Sequence, residues 1–125
     1  MFGLDVTHQM IITPKRLSLI KKSSNSIGPT TADLLTFFNS YDTKKYGWDG
    51  APLHDPCTIA WLIKPEIFQM KKMSVEIETN NGPAFGRTIA DWFNVTDKNK
   101  NVNVAISGKS DQFFDLIAER LSRFS

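Results

Sequence analysis

A histidine and an aspartate, His54 and Asp55, stand side by side in the segment Gly50–Cys57 (GAPLHDPC), between turn-forming residues. A histidine titrates near pH ~6.5, so it can give a proton to a leaving group close to neutral pH. A carboxylate is a hard oxygen donor of the kind that Ca²⁺ prefers. The pair therefore indicates a chemical site, with His54 as the candidate proton donor and Asp55 as the candidate metal ligand.

Both residues also have ordinary structural interpretations. Aspartate is common at the N-cap of a helix, and Pro56 suits the first helical position after it. One aspartate cannot form a calcium site alone, because Ca²⁺ takes ~6–8 oxygen ligands. A loop histidine such as His54 often has no chemical role.

Two aromatic residues, Tyr46 and Trp48, precede the pair in the same loop. Either ring could pack against a planar ligand, and the tyrosine hydroxyl could also bond to it. Packing of the loop onto the domain is an equally ordinary role for both, and chemistry alone does not choose between them. His8 follows a predicted strand, where ligands gather in open α/β sheets, but we interpret it as a framework residue. Trp61 and Trp92 fall at apolar positions and are predicted to be core residues.

Composition excludes several classes of partner. The chain has 125 residues, enough for one domain, and its 15 basic and 13 acidic residues give a net charge of +2. No run of basic residues is longer than a pair, so we expect no nucleic-acid partner. The most apolar stretch, Cys57–Ile63, is far shorter than the ~20 residues of a membrane-spanning helix. With a single cysteine, interpreted as an inert half-buried thiol, and no signal-peptide pattern, we expect a cytoplasmic protein.

The first half of the chain predicts a strand followed by helices. Phe2–Thr7 has the apolar character of a buried strand, and Thr13 with Pro14 is typical of a helix start. After a turn-rich linker, Ser23–Pro29, apolar residues recur at helical spacing over about Thr31–Lys45. The expected apolar face consists of Leu34, Leu35, Phe38 and Tyr41. A further helix is predicted from Pro56 to about Lys64.

The second half predicts strands and a last helix. Apolar and polar residues alternate over Met73–Ile77 and Val102–Ile106, which is typical of strands with one wet face. Arg87–Val95 is β-prone, and we expect it to pair with the last strand as a hairpin. A terminal helix is predicted to start at Ser110–Asp111, with its apolar face formed by Phe113, Phe114, Ile117 and Leu121.

The segments Gly3–His8 (GLDVTH) and Gly50–Phe68 (GAPLHDPCTIAWLIKPEIF) resemble the C-terminal part of nucleoside hydrolases of the inosine-uridine-preferring type, particularly the pyrimidine-specific ribonucleoside hydrolases. The resemblance implies an α/β fold: the C-terminal part of an open mixed sheet, with a small antiparallel sheet and a terminal helix. Residues 1–125 would form a single segment of that domain. The family's N-terminal aspartate-rich motif, DxDPGxDDA, does not occur in the sequence, and we expect that part of the domain to be absent.

The resemblance also implies an activity, which is hydrolysis of the N-glycosidic bond of ribonucleosides, chiefly uridine and cytidine. His54 would be the proton donor, Asp55 one ligand of a Ca²⁺ ion, and Tyr46 part of the wall of the base pocket. A homo-oligomer is expected for the intact enzyme. Because the aspartate-rich motif is missing, the isolated chain is expected to be inactive. It is also expected to be poorly soluble, because missing neighbouring strands would leave a sheet edge and apolar faces exposed. The alternative is a non-catalytic fragment that acts at most as an assembly or binding module.

Overall fold

The computed structural model describes residues 1–24 and 26–124. The part of the chain that it describes contains five α-helices, one short 3-10 helix and four strands. In chain order these are α1 Leu4–Thr7, α2 Pro14–Lys22, α3 Ile27–Tyr46, α4 Pro56–Ile63, the 3-10 helix Pro65–Ile67, β1 Phe68–Met73, β2 Val75–Ile77, β3 Thr88–Ala90, β4 Val102–Gly108 and α5 Ser110–Leu121.

The predicted strand over Phe2–Thr7 is wrong, because Leu4–Thr7 forms a single helical turn. Met1, which precedes the predicted strand, is bonded to β4: its ammonium group donates to the Asn103 carbonyl at 2.7 Å, and its carbonyl accepts from the Ala105 N–H. A short apolar run has too few residues for its period to distinguish a strand from a helix. The premise that His8 follows a strand is therefore also wrong.

Helix α2 begins as predicted, with Pro14 at the first position and the Thr13 hydroxyl accepting from the Arg16 N–H. Helix α3 starts at Ile27, earlier than expected, and takes in the last three residues of the predicted linker. Proline is tolerated there because the N–H groups of a first helical turn have no helical partner. Asn25, in the same predicted linker, lies outside the described residues. Helix α3 ends at Tyr46, where Gly47 takes a φ of 68°.

The strands form two antiparallel pairs, β1 with β4 and β2 with β3. The predicted hairpin between Arg87–Val95 and the last strand is wrong: Thr88–Ala90 pairs with Val75–Ile77 instead. The last strand pairs with β1, from Phe68 opposite Gly108 to Met73 opposite Val102. Pairing of β4 with β1 buries side chains of both strands in the core.

The core lies between the β1–β4 pair and the helices α2, α4 and α5. Helix α5 begins at Ser110 as predicted and places Phe113 and Phe114 in this core, fully buried, where their rings meet edge to face at 5.1 Å. The other buried members include Val6, Met10, Ile12, Ile20, Cys57, Ile67 and Phe68. No helix within residues 1–24 and 26–124 is long and apolar enough to cross a membrane.

Two burial predictions fail. On α3, Leu35 is half-buried, but the side chains of Leu34, Phe38 and Tyr41 are exposed. Trp92 is also exposed, in the loop after β3, whereas Trp61 packs against the core with its ring 6.5 Å from that of Phe2. The helical period of α3 is correct, but only one edge of the expected face meets the core.

Candidate functional site

The loop that carries His54 is fixed to the segment after α1 by backbone hydrogen bonds. The Ile12 N–H donates to the Ala51 carbonyl and the Leu53 N–H donates to the Met10 carbonyl, both at 2.9 Å. Gly50 lies so close to the Ile12 carbonyl that a side chain there would overlap it. The position of the loop is therefore set by buried backbone contacts.

Asn39 of α3 adds a third connection to this loop. Its side-chain N–H donates to the Ile12 carbonyl at 3.1 Å, and its side-chain oxygen accepts from the Ala51 N–H at 2.8 Å. One amide therefore satisfies a backbone acceptor on one side and a backbone donor on the other. Helix α3, the segment after α1 and the His54 loop are joined through it.

His54 is half-buried, and its Nδ1 lies 2.8 Å from the hydroxyl of Thr7, the last residue of α1. Thr7 itself is buried, at 4% exposure. The ring of His54 is thus attached on one edge to a fixed hydroxyl. The sequence predicted a role for His54 but none for Thr7, and no signal in the sequence joins two residues so far apart.

Asp55 does not cap α4 as expected. It occupies the N-cap position, but its side chain makes no capping hydrogen bond, and its backbone is helical with φ −61° and ψ −42°. Its carbonyl oxygen accepts from the hydroxyl of Thr58 at 2.9 Å. The carboxylate is exposed, so it is available to a ligand.

Four aromatic rings lie in a row from the end of α3 to His54. The rings of Tyr46 and Trp48 stack at 5.0 Å, that of Trp48 meets that of His8 at 5.3 Å, and that of His8 lies 5.7 Å from that of His54. Both aromatic candidates therefore belong to one cluster with the histidine. His8, interpreted as a framework residue, is exposed and connects them.

Two clefts border this row. One, of about 560 Å³, is lined by His8, Ile11, Thr13, Trp48, Asp49 and Gly50 among others. The other, of about 390 Å³, is lined by Leu34, Phe38, Leu53, His54 and Asp55 among others. His54 and Asp55 thus border the same concave surface, beside the exposed residues of α3.

The described residues do not complete a metal site. Within residues 1–24 and 26–124, no group of three or more histidine, cysteine, aspartate or glutamate side chains is placed to hold an ion. Asp55 fits as one ligand of a Ca²⁺ ion, because its carboxylate is exposed and not used by the helix. The remaining oxygens would have to come from outside the described part of the chain.

Cys57 is fully buried, more so than expected, and its thiol donates to the Leu53 carbonyl at 3.2 Å. Burial in apolar surroundings raises its pKa to about 11. Since the thiolate is the reactive form, both the burial and the raised pKa favour the predicted inert thiol. Its side chain belongs to the core cluster at the start of α4.

Comparisons with known proteins identify the family of the chain. The profile of the inosine-uridine preferring nucleoside hydrolase family matches residues 1–115. A pyrimidine-specific ribonucleoside hydrolase, RihA, from Photobacterium profundum is 43% identical over 125 residues, which is 99% of this chain and 40% of the relative. The corresponding protein of Klebsiella pneumoniae is 40% identical over 126 residues, with 100% and 40% covered.

Solved structures of similar fold are also nucleoside hydrolases. A purine-preferring ribonucleoside hydrolase from Gardnerella vaginalis superposes with a TM-score of 0.79 at 29% identity, covering 98% of this chain and 39% of its own. The plant nucleoside hydrolase PpNRh1 superposes with a TM-score of 0.78 at 26% identity, covering 96% and 40%. The chain therefore spans about 40% of the length of the relatives that it matches.

Proposed function

The chain belongs to the inosine-uridine preferring nucleoside hydrolase family, and from this premise we propose that it carries the proton-donating half of a ribonucleoside hydrolase site. His54 gives the proton to the departing base, Asp55 supplies one ligand of a Ca²⁺ ion, and Tyr46 forms part of the base pocket. The observation that supports this most is the attachment of His54 through Nδ1 to Thr7, at the edge of a cleft that Asp55 also borders.

In the proposed reaction a ribonucleoside and one water molecule give the free base and ribose. The bond between C1′ and the base nitrogen breaks, and the electron pair leaves with the base. The water oxygen forms a bond to C1′ and loses a proton to solvent, while the base takes a proton from His54, which regains one from solvent. The transition state has oxocarbenium character, as in glycoside hydrolysis, with a histidine in place of the carboxylic acid. A general acid of this kind contributes ~10²–10⁴-fold to the rate.

The calcium proposal depends on carboxylates outside the described residues. When bound, the ion would hold the ribose hydroxyls and lower the pKa of the attacking water. Asp55 is the ligand that this chain offers, which is consistent with a carboxylate that the helix does not use. The isolated chain, without the partner carboxylates, is then inactive.

A pyrimidine is the proposed base, since relatives at 40% identity or more are named pyrimidine-specific, although the Gardnerella structure is named purine-preferring. The stack of Tyr46 on Trp48 places an aromatic wall beside His8 and His54. A flat base can pack against such a wall, and the Tyr46 hydroxyl can bond its edge. Tyr46 stays the proposed base contact, with Trp48 supporting its ring.

The intact enzyme is proposed to act as a homo-oligomer in the cytoplasm, in nucleoside salvage.

A second candidate function is a non-catalytic assembly module. It is favoured by the exposed apolar side chains of α3 and α4, since Phe37 is 81%, Leu62 70% and Leu34 66% exposed. Apolar surface of this kind marks contact with another polypeptide. In both proposals that polypeptide is the remainder of a hydrolase domain.

The test supplies that remainder. We would combine this chain with the preceding part of the Photobacterium relative, carrying the aspartate-rich motif, both as a separate polypeptide and as a fusion, and assay uridine and cytidine hydrolysis with Ca²⁺. Activity is expected only in the combinations. His54→Ala is expected to lower it by ~10²–10⁴-fold. Lys72→Ala, on the exposed side of β1, is the matched control and is expected to leave the rate unchanged.

The outcomes separate the two candidates. A combination in which His54→Ala is as active as the unmodified chain would overturn the proton-donor assignment. Association of the two parts without activity, either as separate polypeptides or as a fusion, would favour the assembly module. Activity of the chain alone would contradict the proposal that its calcium site is incomplete.

A further inference from the structure

Thr7 uses its hydroxyl differently from two other helical threonines, Thr36 and Thr58. The hydroxyls of Thr36 and Thr58 donate within their own helix turns, to the carbonyls of Ala32 at 2.8 Å and Asp55 at 2.9 Å. This local bond is the usual one for threonine in a helix. The hydroxyl of Thr7 instead meets Nδ1 of His54, a residue 47 positions away.

The backbone around Thr7 explains why its hydroxyl is directed outward from α1. The Gly3 carbonyl, its local acceptor, already accepts from the N–H groups of Val6 and Thr7, both at 3.2 Å. The Thr7 carbonyl accepts from the Met10 N–H at 2.9 Å. Thr7 is buried, and a β-branched side chain on a backbone held at its N–H and its carbonyl has few rotamers open to it. The hydroxyl is thus a rigid contact point for the ring opposite it.

We propose that Thr7 is a positioning residue, which holds the imidazole of His54 through Nδ1 so that Nε2 faces the nucleoside. This inference rests on the proposed role of His54 as proton donor. A hydroxyl can donate to a bare Nδ1 or accept from a protonated one. The ring therefore keeps one orientation before and after it gives up its proton from Nε2. Thr7 does not touch the substrate in this arrangement.

Loss of the hydroxyl removes the contact that selects this orientation. The Thr7 Oγ1 is the hydrogen-bond partner that the described residues provide for the His54 ring. The neighbouring ring of His8 lies 5.7 Å away, centroid to centroid, at 57°, and can pack against His54 without distinguishing its two nitrogens. Displacement of a catalytic group by about 1 Å can lower a rate by ~10²-fold.

The first readout is spectroscopic and does not depend on catalytic activity. The chain, labelled with ¹⁵N-histidine, is observed by long-range ¹H–¹⁵N correlation at a pH well above ~6.5, where imidazole is neutral. The exposed His8 serves as the internal reference, and His54→Gln assigns the signals. We expect the Nδ1 shift of His54 to differ from that of His8, to move toward it in Thr7→Val, and to return in Thr7→Ser.

The second readout is kinetic, in the active combination with the preceding part of the relative. Thr7→Val is expected to lower kcat for uridine by about 10–100-fold with little change in KM. Thr7→Ser, which keeps the hydroxyl, is expected to recover most of that loss. A thermal melt of each variant checks folding, and Thr7→Ala replaces Thr7→Val if the valine does not fold.

Three results would overturn the inference. The first is an Nδ1 shift of His54 equal to that of His8 in the unmodified chain. The second is an unchanged kcat in Thr7→Val. The third is a loss of kcat that Thr7→Ser does not recover. Failure of the proposed function has a different signature. In that case His54→Ala retains full activity, while the shift measurement still decides whether Thr7 orients the ring.

Discussion

Two asparagines perform the same task in two regions of the molecule. The first is the His54 region, which consists of the loop that carries His54 and the segment after α1. There Asn39 bridges the Ile12 carbonyl and the Ala51 N–H. Residues 75–101 form a second region, the arm. There Asn101 bridges the Val75 carbonyl at 2.9 Å and the Val75 N–H at 2.8 Å. The bonds of Asn39 are partly buried, whereas those of Asn101 are exposed to solvent.

The difference shows where rigidity is concentrated. Water can replace the bonds of Asn101, because its partners stay accessible when the side chain is removed. Partly buried groups left without Asn39 have poorer access to water, and an unsatisfied buried polar group costs more than a lost exposed bond. The His54 region is therefore held by bonds that solvent cannot readily replace, and the arm by bonds that it can.

The largest effect on stability is expected from Gly50→Ala. The new methyl group would overlap the Ile12 carbonyl, a backbone atom that cannot rotate away, so we expect destabilisation by about 3 kcal/mol. Gly82→Ala in the arm is the matched control, because a methyl group there meets nothing within 4 Å. Urea denaturation of both variants tests this. Equal midpoints for the two would contradict the proposed rigidity of the His54 loop.

A smaller difference is expected between the two asparagines. Asn39→Ala leaves the Ile12 carbonyl and the Ala51 N–H unpaired and is expected to cost about 2 kcal/mol, whereas Asn101→Ala should cost about 0.5–1 kcal/mol. Both variants are compared by urea denaturation under one condition. A cost for Asn101→Ala equal to or above that of Asn39→Ala would remove the distinction between the regions.

The smallest effect is a local pH dependence in the arm. The carboxylate of Asp91 accepts from the hydroxyl and the N–H of Thr96 and from the N–H of Val95. These bonds, that of the Thr96 hydroxyl first, lower its pKa to about 2. Because the folded pKa is below the unfolded value of ~3.9, the stabilisation is present above pH ~4 and is lost as the pH falls toward 2.

The measurement is an NMR titration of the Thr96 and Val95 amide signals between pH 5 and pH 2, since both N–H groups donate to this carboxylate. We expect these signals to shift with a midpoint near pH ~2, and the shift to disappear in Asp91→Asn. The amide signals of the His54 loop are expected to stay unchanged at every titration point above pH ~3. A midpoint at the ordinary aspartate value of ~3.9 would show that the loop does not hold the carboxylate.

Local signals in the sequence predicted much of the helical structure. The start of α2 was predictable because Thr13 and Pro14 act within one turn. The one-turn helix α1 was not, since its four residues are too few to show a period. The partner of the last strand was missed because strand pairing is decided by burial across the core, which no local signal reports.

The same distinction applies to the candidate site. His54 and Asp55 could be singled out because they are adjacent in a turn-rich segment. Helix-capping propensity predicted a bond that Asp55 does not make, because its backbone is already helical. Thr7 was not predictable, as its bond to His54 crosses 47 residues, and neither was the contact of His8 with Trp48.

The central claim is that His54 donates a proton to the leaving base. The most direct test compares uridine with p-nitrophenyl riboside, whose phenolate leaves without protonation, in the active combination with and without His54→Ala. We predict that the rate for uridine falls by ~10²–10⁴-fold, while the rate for p-nitrophenyl riboside changes little. An equal fall for both substrates would contradict the claim and assign His54 to binding or structure.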